Sequence, residues 1–208
     1  MTLIDDYLSE QEKYEKKYGE FTIVLMQVGH FYEAYAVDNA HEKSNADNVY
    51  RVADILNIQV TRKNKNIQEN SRGNPIMIGV NLFSIEKHTG ILMDAGYTLV
   101  LMEQVGEAPN VTREITRVYS PGTYLPVKTI GSAHSNYLLS VFLETIPNDK
   151  SRRMKNIGMS VIDFATGKSV TYEVYSKKSN NDFNYALDET FRFIQVYNPS
   201  EVIFMIND

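Results

Sequence analysis

Gly29-His30-Phe31-Tyr32-Glu33 is the segment of this chain whose residue types and spacing carry the most specific chemistry. It follows an apolar, β-branched run from Phe21 to Val28. The glycine therefore permits a sharp exit from a buried strand, and the aromatics behind it can be displayed rather than packed. A phenyl ring inserted at a base step offsets stacking lost when DNA kinks, and a nearby carboxylate can accept a hydrogen bond from a base edge such as thymine N3. In extended backbone Phe31 and Glu33 share one face while Tyr32 points to the other, which makes packing the task of Tyr32 and support the task of Gly29. The competing account is two core aromatics and one solvated glutamate.

Other segments offer different chemistry. Arg62 to Gly73 is a polar loop in which Arg62, Lys63, Lys65 and Arg72 face Glu69 alone, so it is locally basic. Asp163 ends an apolar run just before a turn, where ribonuclease-H-like nucleases hold a first metal-binding carboxylate. Glu173, Asp182, Asp188 or Glu189 could join it, but carboxylates at strand ends and helix starts also serve as turn and capping residues. Gly167-Lys168-Ser169 copies the tail of a phosphate-binding loop, yet Ile162 stands where that loop needs its first glycine, so a turn is expected. The histidines at 30, 41, 88 and 134 show no metal-ligand spacing, and no metal or cofactor site is expected.

The elements that must position these residues follow from composition and periodicity. A chain of 208 residues with 43% hydrophobic residues can build one medium domain or two small ones. It has no apolar run long enough for a membrane span, its first residues are charged, and it lacks cysteine, so an intracellular, soluble protein of unspecified compartment is expected. With 21 Lys plus Arg against 26 Asp plus Glu, the net charge of −5 lacks the excess on which non-specific nucleic-acid binding relies, so any DNA contact must use local patches.

The spacing predicts a helix over 2–18 closed by Gly19, strands over 21–28 and 31–35, and, between Val37 and Leu56, one helix or two with a break, carried by Val49, Val52, Ala53 and Leu56 after a polar stretch from His41 to Asn48 that resembles an insertion. A short strand from Ile58, strands over 76–80, 97–104 and 113–119, and a helix over 85–95 complete an α/β (α+β) layer. Ser120-Pro-Gly-Thr123 is a turn signal. It predicts a first domain over 1–124 and a linker over 125–135. A second region over 136–208 reads as a three-stranded meander over 137–143, 157–164 and 169–175, with Lys150, Arg152, Arg153 and Lys155 in a basic loop. A helix from Phe183 to Val196 and a last strand at 201–205 follow.

A string of short motifs links these elements to a known family. Gly29-His-Phe-Tyr-Glu33, Ile58-Gln-Val-Thr-Arg62, Ile76-Met-Ile-Gly-Val80, Ala95-Gly-Tyr97, Glu103-Gln-Val-Gly106, Arg113-Glu-Ile-Thr-Arg-Val118 and Ser120-Pro-Gly-Thr123 together resemble the mismatch-binding domain of MutS-family DNA mismatch repair proteins. Asn136-Tyr-Leu138 and Asp163-Phe-Ala-Thr-Gly167 resemble the start of the connector domain of that family, whose fold is ribonuclease-H-like. His30, where the family usually has aspartate, and Asn81, where it has proline, depart from the pattern, and the stretch from His41 to Arg51 is enlarged.

The resemblance implies a mixed-sheet mismatch-binding domain followed by a partial ribonuclease-H-like connector domain. It implies that Phe31 wedges beside a mispaired or unpaired base and Glu33 hydrogen-bonds that base. Arg62 and Lys63, helped by Lys65 and Arg72, would touch the phosphate backbone. Purine N7 only accepts, so a Glu33 contact there would need a proton on the carboxyl. The implied partners are duplex DNA with mismatches or small loops, a MutS-like dimer partner and a MutL-type repair protein. No catalysis and no cofactor are expected of this stretch; ATP and magnesium are expected only if a full-length parent carries the ATPase domain of the family. The alternatives are a metal-dependent nuclease built on Asp163, and an interaction module whose mismatch reader has decayed.

Overall fold

The computed structural model describes residues 2–106, 111–125, 135–148, 152–176 and 184–207. They fall into two compact units, Met1–Pro121 and Gly122–Asp208. Gly122 folds with the second unit: its N–H donates to the Glu201 carboxylate at 3.0 Å, and a Cβ on it would lie 2.8 Å from Glu201 Cβ. The divide thus falls after Pro121, inside the turn motif expected to end the first domain at residue 124. Most of the expected linker, together with His134, Lys150, Asp182 and Phe183, lies outside the described residues.

In the first unit, α1 (Leu3–Tyr18) starts on a capping box between Thr2 and Asp5, carries Asp5 and Asp6 in its first turn and Lys16 and Lys17 in its last, and stops at Gly19 with φ 98°. Those charges complement the helix dipole, and Ile4, Tyr7, Leu8 and Gln11 form its buried stripe. The strands β1 (Thr22–Val28) and β2 (Phe31–Asp38) are followed by β3 (Lys43–Ser44) and α2 (Ala46–Leu56). Then come β4 (Thr61–Arg62), β5 (Ile76–Asn81), a 3-10 turn over Leu82–Ser84, α3 (Ile85–Asp94), β6 (Thr98–Val105) and β7 (Thr112–Tyr119). The sheet runs β4-β5-β2-β1-β6-β7, with β3 paired to the far end of β2. The polar stretch read as an insertion therefore holds β3 and the start of α2, and β2 runs to Asp38 because β3 extends its ladder.

β1 pairs in parallel with β6 from Thr22 to Met26, but with β2 only from Met26 to Val28. The backbone facing the gap is satisfied by side chains instead. Tyr7 Oη donates to Val24 O at 3.0 Å. Gln11 Nε2 donates to Thr22 O and Gln11 Oε1 accepts from Val24 N, both at 2.8 Å. Asn48 Nδ2 also donates to Thr22 O at 2.7 Å, and Asn45 Nδ2 donates across the gap to Tyr35 O at 2.9 Å. Tyr7 and Gln11 sit one helical turn apart, so one face of α1 delivers both.

The second unit is a meander of β8 (Tyr137–Asn148), β9 (Arg152–Asp163) and β10 (Ser169–Tyr175), then α4 (Tyr185–Tyr197) and β11 (Glu201–Asn207), which returns parallel to β8. The order is β10-β9-β8-β11, and α4 covers a core of Leu139, Val141, Ile157, Met159, Val161 and Val174. The expected basic loop is a correction: Arg152, Arg153 and Lys155 belong to β9. The β8–β9 ladder continues to the pair Asn148↔Arg152, past the end of the apolar alternation from which the strand lengths were inferred.

Gln11 tests the closure of the β1–β2 gap. Gln11→Leu leaves the Val24 N–H without a partner in a buried setting and is expected to destabilise the first unit by about 1–3 kcal/mol. Chemical denaturation measures it; an unchanged midpoint would contradict the role given to this side chain.

Candidate nucleic-acid interface

The β1–β2 hairpin turns on two residues, Gly29 and His30, with Val28 opposite Phe31. Gly29 has φ 61°, while His30 is not among the positive-φ residues, the pattern of a type II′ turn that matches the twist of the strands. Phe31 opens β2 with 46% of its surface exposed. Tyr32, one residue on, is buried, and its hydroxyl donates to Glu103 Oε1 at 2.5 Å. That bond holds the Glu103 carboxyl below its usual range, while burial, and then Glu103, pushes the Tyr32 phenol up. Glu33 is half-buried on the Phe31 face and accepts a hydrogen bond from Tyr35 Oη. Burial and then the Glu33 carboxylate push the Tyr35 phenol well above its ordinary value, so it remains a donor at neutral pH. Gly79 lies opposite Glu33 on β5, and a Cβ there would stand 3.6 Å from Glu33 Cγ, in ordinary contact.

The tip of the hairpin is braced from neighbouring strands. The Gly29 N–H donates to Gln104 Oε1 at 3.2 Å, and the Gln104 N–H donates to Gln27 Oε1 at 3.0 Å. Arg113 Nε donates to Gln27 O at 3.3 Å, which brings a guanidinium of β7 beside the turn. These bonds connect β1, β6 and β7 around the residue that sets the direction of Phe31.

The four cations of the basic segment are not one patch. Arg62 on β4 lies opposite Ile76, whereas Phe31 on β2 lies opposite Asn81, five residues along β5 and on its other side, so the two are about 20 Å apart. The Arg62 guanidinium donates to the carbonyls of Ile67 (3.2 Å) and Gln68 and shapes the loop. Lys63 and Lys65 are exposed on that loop. Arg62 and Lys65 border an open depression of about 480 Å³ with Tyr50 and Gln68. Arg72 is committed elsewhere: it forks onto Glu42 at 2.9–3.1 Å and reaches Asp5 at 2.8 Å. The guanidinium beside them holds both carboxyls below their usual range. A phosphate could recruit Arg72 only by breaking that clamp.

Asp163 is a turn residue. Its carboxylate accepts from the backbone N–H of Asn136 and Ala165, both at 3.0 Å, and from Thr166 Oγ1 at 2.8 Å. Burial raises its pKa, but those hydrogen bonds, with one from Ser135, outweigh it and hold the carboxyl below the usual range. Glu173 accepts from Asn156, and Glu189 pairs with Arg192. Among the described residues no three His, Asp or Glu side chains converge as a metal site. Gly167, with φ 73°, completes the β9–β10 turn expected in place of a nucleotide loop.

Residues 7–128 match the family model for MutS domain I. The chain belongs to the MutS family. It is 37% identical over 204 residues to a mutS homologue of Acanthamoeba polyphaga mimivirus, covering 97% of this chain and 17% of that protein. It is 26% identical over 206 residues to the DNA mismatch repair protein MutS of Nostoc punctiforme, covering 97% and 19%. With MutS 2 of Haloarcula marismortui it shares 28% identity over 185 residues, covering 87% of this chain and 16% of the relative. The chain thus spans less than a fifth of the length of these relatives.

Within the MutS domain I fold, inspection of the sequence singled out Gly29, Phe31, Tyr32 and Glu33, and the structure gathers all four at one hairpin. It missed the polar brace of Gln27, Gln104 and Arg113, because those residues lie in separate strands. It also missed Phe83, whose ring is 89% exposed. The signal there was present: Asn81 and Ser84 flank Phe83 with the polar spacing of a turn that has no inward face.

Asp163 makes a pH-dependent prediction. A carboxyl held low in the folded state contributes stability above its unfolded value, about 3.9, and that contribution is lost as pH falls through the folded value. Asp163→Asn should therefore lower the melting temperature at pH 7, with the difference from the parent shrinking in acid. A difference that stays constant with pH would mean that the charge on this carboxyl is irrelevant.

Proposed function

We propose that this chain is the mismatch-recognition module of a MutS-like repair protein. Phe31 wedges beside a mispaired or unpaired base in duplex DNA and Glu33 hydrogen-bonds that base. The observation that carries this reading is the half-exposed Phe31 ring at the tip of a braced hairpin, with the Glu33 carboxylate on the same face. Tyr35 occupies one Glu33 oxygen and leaves the other available to a base N–H. A thymine or guanine imino group suits it as it stands, whereas purine N7 demands a proton on the carboxyl.

Backbone contacts follow from cations that form no ion pair among the described residues. Arg113 stands beside the wedge, and the exposed Lys63 and Lys65 lie on the loop after β4, towards the opposite end of β5. Arg62 adds to that distant group while holding its loop, and Arg72 serves the structural clamp rather than the phosphates. With a net charge of −5, discrimination depends on how easily a site bends more than on overall attraction. A mispaired step has less stacking to lose, so the same inserted ring opens it at lower cost. The chain spans less than a fifth of its relatives' length; a clamp that holds the bent duplex, and a MutS-like dimer partner or MutL-type protein, would act with this module, and ATP and magnesium would enter only through an ATPase domain of a full-length parent.

Phe31→Ala tests the wedge. Removal of base–aromatic stacking worth about 1–3 kcal/mol should reduce the preference for a mismatched over a matched duplex by roughly 5- to 150-fold, with little change in binding to the matched one. Fluorescence anisotropy on both duplexes at one salt concentration measures this. Undiminished preference in the variant would refute the assignment.

A further inference from the structure

Phe83 has no part in the core. It lies in the 3-10 turn between β5 and α3 and exposes 89% of its surface, more than any other large hydrophobic residue among those described. Local bonds hold that turn: the Phe83 N–H donates to Asn81 Oδ1 at 3.0 Å, and Ser84 Oγ donates to Asn81 O at 2.9 Å. Asn81, which departs from the family pattern, is therefore the residue that caps the turn.

The turn is also fastened to the wedge hairpin. The Leu82 N–H donates to His30 O at 2.9 Å, and Asn81 pairs with Phe31 across the β2–β5 ladder. His30 O is one bond from the peptide that begins Phe31, and Leu82 N is one residue before Phe83. Standard backbone lengths then keep the two phenylalanine Cα atoms within about 11 Å, roughly three base-pair steps. Two exposed rings thus stand on two capped turns joined by a hydrogen bond, at the same end of the sheet.

We propose that Phe83 is a second apolar contact on the same DNA, packing against the sugar and base edge that flank the kink opened by Phe31. The inference rests on the mismatch-recognition reading above and adds a specificity-determining residue to it. The occupant is the duplex because the turn that carries the ring is bonded to the Phe31 hairpin, and the exposed residues next to it across that bond and in the first turn of α3, His30, Glu86 and Lys87, are polar, unlike an apolar seam for another protein domain. A straight duplex offers such a ring little, whereas a kinked one widens its minor groove to apolar side chains. Phe83 therefore acts on the bent form and strengthens binding to mismatched sites preferentially.

The test is the affinity of the 208-residue chain for matched and mismatched duplexes, measured for Phe31→Ala, Phe83→Ala and Phe83→Leu. Because Phe83 touches almost nothing in the protein, neither of its variants should change the melting temperature. Phe83→Ala should weaken mismatch binding by about three- to tenfold with a smaller effect on the matched duplex, and Phe83→Leu should retain most of the affinity because apolar packing is what counts. If Phe31→Ala impairs mismatch binding while Phe83→Ala does not, the wedge stands and the second contact is overturned, which leaves Phe83 to a protein surface. If neither substitution matters, both the wedge and the second contact fall.

Discussion

The alternation of side chains along the first half of β2 is the constraint on which the rest of this chain depends. Tyr32 and Ala34 are buried on one face, so Phe31 and Glu33 must take the other. A slip of one residue would exchange the two sets and submerge the phenylalanine. Register is held at the turn by Gly29, whose positive φ a residue with a Cβ adopts only with strain, and in the middle of the short ladder by the bond between Tyr32 and Glu103. Because β1 and β2 separate after three pairs, the rest of the hairpin is fixed by Tyr7, Gln11, Asn45 and Asn48, not by a continuous ladder. A helix and a pair of amides thereby stiffen a hairpin that three backbone pairs alone would leave pliable.

This arrangement has an energetic logic. An exposed aromatic ring and a carboxylate beside it are poor ornaments for a free protein surface and poor partners for an undistorted, negatively charged helix. On the proposed reading they become favourable together where a base is already loosely stacked and offers an N–H. The acidic balance of the chain and the sequestration of Arg72 by Glu42 and Asp5 limit indiscriminate attraction. On the proposed reading, selectivity comes from the deformability of the partner.

Much of this was legible in the residues. Helix limits followed from buried stripes at helical spacing and from Thr2, Gly19 and Gly96 at the ends. The β1–β2 hairpin followed from a β-branched run meeting Gly29 and an aromatic pair, and MutS domain I followed from the motif string. What stayed hidden was non-local. No spacing shows that Gln11 and Asn48 meet at Thr22 O, that Gln104 reaches Gly29, or that Arg72 turns away to two acids. The length of the β8–β9 hairpin escaped for another reason: past Leu143 the ladder is sustained by backbone pairing while the hydrophobic alternation that reveals a strand has ended.

The most direct measurement is the proton spectrum of the Phe31 ring, followed while a duplex bearing a single mispair is added to the chain. Insertion between bases should carry these resonances upfield under the base ring currents, and the fully paired duplex of the same length should leave them in place. Ring signals that stay put while DNA binds, with the changes clustered elsewhere on the chain, would contradict the wedge.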